Sequence, residues 1–154
     1  YRRQRQMCIR DSIQRDCMAI DDEMRWLLAL ISDTGMRLSE AAGLHKDDVI
    51  LDSPIPYINL QPHSWRRLKT KGSERTLPLV GASLWAAKRA IEASQHSPYL
   101  IHRYCNDKGC KANSASAALN KWMKTIPLRP AQWQHFTGSI EFHRTRTQRN
   151  HRVV

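Results

Sequence analysis

The stretch Thr34-Gly35-Met36-Arg37-Leu38-Ser39-Glu40-Ala41-Ala42-Gly43-Leu44 decides the reading of the chain. Thr34-Gly35 stops the apolar helical pattern before it, because glycine accepts backbone angles that other residues avoid, and Leu38 to Leu44 then reads as a short second helix. Arg37 therefore stands at a turn-to-helix junction. A guanidinium fixed near the positive end of a helix has the planar fork of donors that suits a phosphate. Glu40 follows three residues later, on the same helical face.

Upstream, Asp21 or Asp22 can cap a helix whose Met24, Leu27, Leu28 and Ile31 repeat at the spacing of one buried face. Downstream, Val49-Ile50-Leu51, Tyr57 to Gln61, Trp65 to Leu68 and Arg75 to Leu79 read as short strands. Ile58 and Leu60 alternate with Asn59 and Gln61, and Leu77 and Leu79 with Thr76 and Pro78, as strands buried on one face require. Pro78 argues for an edge position. Gly81 to Gln95 and Asn113 to Lys124 read as helices. Trp85 belongs with the core of the first, and Ala115, Ala118, Leu119 and Trp122 form the apolar stripe of the second.

Between His63 and Arg75 the chain carries Arg66, Arg67, Lys69, Lys71 and Arg75 against a single acid, Glu74, with strand-like flanks. This reads as a basic hairpin. A run of charge is usually only a solvated face, so the order of residues has to carry any further meaning. His63 reads as an ordinary loop histidine.

The composition agrees with a soluble globular protein bearing a polyanionic partner: 154 residues, 41% apolar, 25% charged, and a formal charge of +11 with a pI near 10.0. That balance favours nucleic acid over a membrane surface. The longest apolar run, Trp26 to Ile31, is far too short to span a bilayer, and no secretory signal precedes it. Four irregularly spaced cysteines, 8, 17, 105 and 110, do not make a disulfide scaffold, so a reducing cytoplasm is the expected setting. His102, Cys105 and Cys110 lie close together, but their loose spacing and the want of a fourth ligand argue for a polar loop rather than a zinc site.

Thr34 to Leu44 closely resembles the first catalytic box of the tyrosine recombinases, the phage and transposon integrases. Trp65-Arg66-Arg67-Leu68-Lys69-Thr70-Lys71-Gly72-Ser73-Glu74-Arg75-Thr76-Leu77-Pro78-Leu79 is similar to the hairpin that carries their catalytic lysine. The resemblance runs from about Ala19 to Met123. It implies an α+β fold, a mainly helical catalytic core with a small antiparallel sheet, truncated at the C-terminus. It implies that Arg37 holds the scissile phosphate and that Glu40 steadies it. It implies that Lys69 or Lys71 protonates the leaving 5′ oxygen, and both remain candidates. Arg66, Arg67 and Arg75 are the expected DNA contacts. The implied partner is duplex DNA, on which intact members assemble as tetramers, with no cofactor, no metal and no membrane.

Past Met123 the pattern departs from the family. The expected His-x-x-Arg-His is replaced by Gln134-His135-Phe136-Thr137-Gly138-Ser139. His135 stands about where the family's histidine belongs, but Gly138 occupies the arginine's place. His143 and Arg146 have the right mutual spacing but fall late. The codons of Gln134 to Ser139, read one base over, permit Ala-Phe-His-Arg-Phe, so a frameshift before His135 is expected. Tyr1, Tyr57, Tyr99 and Tyr104 all precede the second box, and the family's attacking tyrosine follows it. At the other end, residues 1–16 are Arg-rich without apolar periodicity, the pattern of a disordered basic arm, and Arg5 to Ser12 resembles translated sequencing adapter. The expected organisation is thus a basic arm over 1–18, a partial catalytic domain over 19–134, and an unmatched basic tail over 135–154.

Overall fold

The computed structural model describes residues 2–126. His135, His143, Arg146 and the expected tail lie outside them. The central element is α2 (Glu23–Thr34), in which Trp26 through Ile31 are all buried. Asp22 caps it by accepting the Arg25 backbone N–H at 3.0 Å, satisfying one of the amides that a helix start leaves without a partner. Gly35 ends it at φ 67°, in the left-handed region, with its N–H bonded to the Ile31 carbonyl. The turn then leads through Met36 and Arg37 into α3 (Leu38–Ala42).

Burial around the whole circumference of α2 follows from its neighbours, since α1 (Arg2–Ile20), α3, α4 (Gly81–Ala93) and α5 (Ala112–Met123) all pack on it. The α4 face toward the core is built from Ala82, Ala86, Ala87 and Ala90, whose small side chains let the two helix axes approach closely. Asp33 at the end of α2 caps α4 through the Ser83 N–H at 3.0 Å. The α5 stripe is as expected in part: Ala115 and Leu119 are fully buried, while Trp122 is half-buried, with the Arg25 guanidinium 4.5 Å over its ring.

A three-stranded antiparallel sheet, ordered β1 (Val49–Ile50), β2 (Tyr57–Leu60), β3 (Arg75–Pro78), covers one side. Its register pairs Val49 with Ile58, Ile58 with Leu77 and Leu60 with Arg75. Ile58 and Leu60 are fully buried. β3 is an edge strand, as Pro78 indicated. A second, two-stranded ribbon joins β4 (Cys105–Asn106) to β5 (Gly109–Cys110).

Three sequence expectations are corrected. The opening residues form a helix rather than a disordered arm, because Ile13 and Cys17 sit one turn apart and are fully buried against the core. Gln14 ties that helix to α2 through Ser32 at 2.8 Å and Asp33 at 2.7 Å. Trp65 to Leu68 is not a strand. His63 and Arg66 exchange backbone hydrogen bonds at 2.9 and 3.2 Å, closing a tight turn that leaves no ladder. Cys105 and Cys110, expected as reduced thiols in a polar loop, are joined in a disulfide across β4 and β5. Neither sulfur is then available as a thiolate ligand.

Candidate functional site

α3 and the start of β3 meet at Glu40. Its side chain is 2% exposed, and both carboxylate oxygens are occupied. Oε1 accepts from Arg37 Nη1 at 2.9 Å. Oε2 accepts from the Arg37 backbone N–H at 2.9 Å and from Arg75 Nη2 at 3.0 Å. The backbone bond satisfies a donor at the start of α3, which explains why a glutamate three residues into a short helix turns back on its own N-terminus. Burial alone would raise the Glu40 carboxyl. The hydrogen bonds from Arg75 and Arg37 and their two charges outweigh it and hold the group below its ordinary value.

The two guanidinium groups differ from Glu40 in being open to solvent, Arg37 with 38% of its side chain exposed and Arg75 with 33%. Arg75 also donates to the Ser73 carbonyl at 2.9 Å. Ser73 closes a 3-10 turn, Lys71–Ser73, steadied by the contact between the Thr70 and Ser73 hydroxyls at 3.0 Å. Arg37, Glu40, Arg75, Ser73 and the turn beginning at Lys71 therefore form one continuous bonded chain. Lys69, Lys71 and Arg67 are exposed on the same β2–β3 connection.

Arg66 does not belong to that surface. It is 3% exposed and points inward, pairing through Nη1 with Asp48 Oδ2 at 3.0 Å and the Gly43 carbonyl at 3.0 Å, and through Nη2 with the Gln61 carbonyl. The expectation that it contacts DNA is corrected. A guanidinium held there joins the end of α3, the turn before β1 and the end of β2. Burial pulls its pKa down, and Asp48 opposes the shift.

His63, read as an ordinary loop residue, is part of the same construction. Its Nε2 lies 2.8 Å from Asp48 Oδ1, and its ring stacks on Trp65 with centroids 4.4 Å apart and planes 7° from parallel. Trp65 in turn donates to the Gly43 carbonyl at 3.1 Å. Nothing local in the sequence announces this cluster, because Asp48 and Gly43 lie well upstream.

Tyr1 lies outside the described residues, and Tyr57, Tyr99 and Tyr104 are placed within the fold. Tyr99 is 5% exposed and donates to Asp107 Oδ1 at 2.6 Å. Burial, with that hydrogen bond and charge, pushes its hydroxyl up to about 12. Tyr104 is 7% exposed with its hydroxyl against the Met24 sulfur, and Tyr57 is half-buried on β2. Among the described residues no group of three or more His, Cys, Asp or Glu side chains is placed to hold a metal ion. No helix among them is long and apolar enough to cross a membrane.

The sequence profile of the phage integrase family matches residues 8–151. The chain belongs to the phage integrase family. The matched span begins within α1 and ends beyond His135. No individual curated protein and no solved structure matches the chain. The integrase family carries out site-specific tyrosine recombination of DNA. Its α+β architecture is the one seen here, helices around small antiparallel sheets.

Proposed function

We propose that this chain is an incomplete piece of a site-specific recombinase that cuts and rejoins duplex DNA through a 3′-phosphotyrosine, within a tetramer on DNA. In this reading Arg37 grips the scissile phosphate from the start of α3 and Glu40 fixes its direction. Lys69 or Lys71 is the general acid for the departing 5′ oxygen, a step that suits a mobile ammonium on an exposed loop. His135 takes the place of the second-box histidine. Arg67 and Arg75 add phosphate contacts. The attacking oxygen displaces the 5′ oxygen at phosphorus, and the arginines stabilise the extra negative charge of the five-coordinate state.

The observation supporting this reading is the Arg37–Glu40 pair. A buried acid holds a solvent-open guanidinium still at a helix start, which is what a phosphate grip needs and a solvated surface arginine does not have. The competing reading is a DNA-binding remnant without catalysis. It is favoured by the tyrosines, since Tyr99 and Tyr104 have their hydroxyls engaged inside the fold.

Two experiments test these readings. Duplex binding should be weak, little dependent on sequence and strongly salt-dependent. With roughly four to six phosphates contacted, log affinity against log salt should slope near −4 to −5, at about −0.9 per contact. Salt-independent binding, or none at low salt, refutes both readings. A nicked suicide substrate run on a denaturing gel then tests the chemistry. No protein-linked DNA is expected from this chain alone, and a band that disappears in Y99F or Y104F would overturn the assignment of those tyrosines.

A further inference from the structure

We infer that Arg75 takes the same phosphate as Arg37, so that the site opens on a pair of guanidinium groups sharing Glu40 rather than on a single arginine. The inference rests on the DNA reading above and moves Arg75 from a flanking contact into the grip itself.

The placement follows from strand geometry. Along β3, Arg75 and Leu77 are half-buried while Thr76 and Pro78 are exposed, so Arg75 shares the inward face with Leu77. At the strand's first residue that face ends, and the long side chain reaches α3. There Nη2 meets Glu40 Oε2 at 3.0 Å and Nη1 meets the Ser73 carbonyl at 2.9 Å. Arg37 Nη1 lies 2.9 Å from the other Glu40 oxygen. Two positive groups are therefore anchored at the two oxygens of one carboxylate.

That arrangement calls for an anion. Glu40 carries one negative charge against two guanidinium charges, and its oxygens are already engaged. A guanidinium has five N–H donors, and among the described residues Arg37 and Arg75 leave most of theirs uncommitted while about a third of each side chain faces solvent. A phosphodiester offers two non-bridging oxygens, one for each fork, and removes the repulsion between the like charges.

The test uses the intact chain with nitrogen-15 in its arginine side chains. The Nε–H signals of Arg37 and Arg75 are followed while inorganic phosphate, and separately a short blunt duplex, is added. Both signals should move with one midpoint, and R75Q should weaken the Arg37 response about tenfold or more, the effect of losing a charged hydrogen bond. K88Q, which removes an exposed charge on α4, should change it less than about threefold. R75K, which keeps the charge and loses the fork, should fall between. If Arg37 responds to duplex and Arg75 does not, or their midpoints differ, the pair is refuted while the DNA reading stands. If duplex binds and neither signal moves, the phosphate site itself is misplaced. If no duplex binds, the DNA reading falls with it. Because the decisive titration is on the unsubstituted chain, misfolding of R75Q cannot obscure it.

Discussion

Replacing Gly43 by alanine tests the construction behind the site. Gly43 has φ −93° and ψ 14°, angles that any residue can adopt. On backbone grounds alone, Gly43→Ala should therefore stabilise the protein by about 0.4–1 kcal/mol, through a less flexible unfolded chain. Space decides otherwise. A Cβ at Gly43 would lie 2.8 Å from Arg66 Cδ and 3.1 Å from both its Cβ and Cγ. Arg66 cannot swing aside, because its guanidinium is committed to Asp48, to the Gly43 carbonyl and to Gln61. Nor can the Gly43 backbone retreat easily, since Trp65 also donates to its carbonyl. Overpacking of this kind costs about 1–3 kcal/mol, so G43A should be destabilised by about 1–2 kcal/mol after the entropic gain. For a chain of this size that is a fall in Tm of about 2–8 °C. Urea denaturation of four proteins, wild type, G43A, R66A and the double variant, measures it. In the R66A background the clash is gone, and G43A should become neutral or stabilising, a coupling of about 1–3 kcal/mol. A G43A protein as stable as wild type would refute the reasoning, as would an equal cost in both backgrounds.

R66M should cost about 3 kcal/mol by the same assay, near the lower end for breaking a buried ion pair, because Asp48 keeps His63 and the His45 N–H; a loss under about 1 kcal/mol counts against a buried pair. E40Q should be less stable than wild type at neutral pH, with the gap narrowing in acid. The folded Glu40 carboxyl lies below its ordinary 4.5, so its contribution is fully present above that value and drains away as pH falls through the folded value; a gap unchanged between about pH 7 and pH 3 contradicts the assigned partners. Alkylation of the native chain at about pH 8 should label exposed Cys8 and spare Cys17, whose thiol burial pushes up to about 12. Cys105 and Cys110 should react only after reduction, and their labelling without reductant would contradict the disulfide.

Where sequence signals are local, they were enough. Asp22 caps, Gly35 stops and the apolar spacing between them defines α2 almost to the residue. Arg37 and Glu40 lie three apart on one short helix, so their pairing was also legible. What escaped depends on partners far along the chain. Arg66 looks like any member of a basic run until Asp48 and the Gly43 and Gln61 carbonyls are brought around it. Arg75 meets Glu40 across 35 positions of sequence. α1 was missed for a different reason. Its buried face is narrow, Ile13 and Cys17 with Ile9 packed beside them, and arginines dominate the rest of the string. The one-turn spacing of those residues was the available signal.

The fates of Arg66 and Arg75 also bound what the net charge can mean. Both come from one basic run, yet a buried acid disposes of each differently. Asp48 encloses Arg66 completely, so that charge is neutralised inside the fold and contributes little to an outside field. Glu40 holds Arg75 at a third exposed and must share itself with Arg37, so one positive charge of that group stays uncompensated at the surface. The formal +11 already cancels Arg66 against Asp48, so it counts the charges left over without saying which of them stand near the site. Counterion release counts only charges that reach phosphates. The salt slope should accordingly respond to R75Q and R67Q by about 0.9 each and stay unchanged on neutralising Arg66 in any variant that still folds.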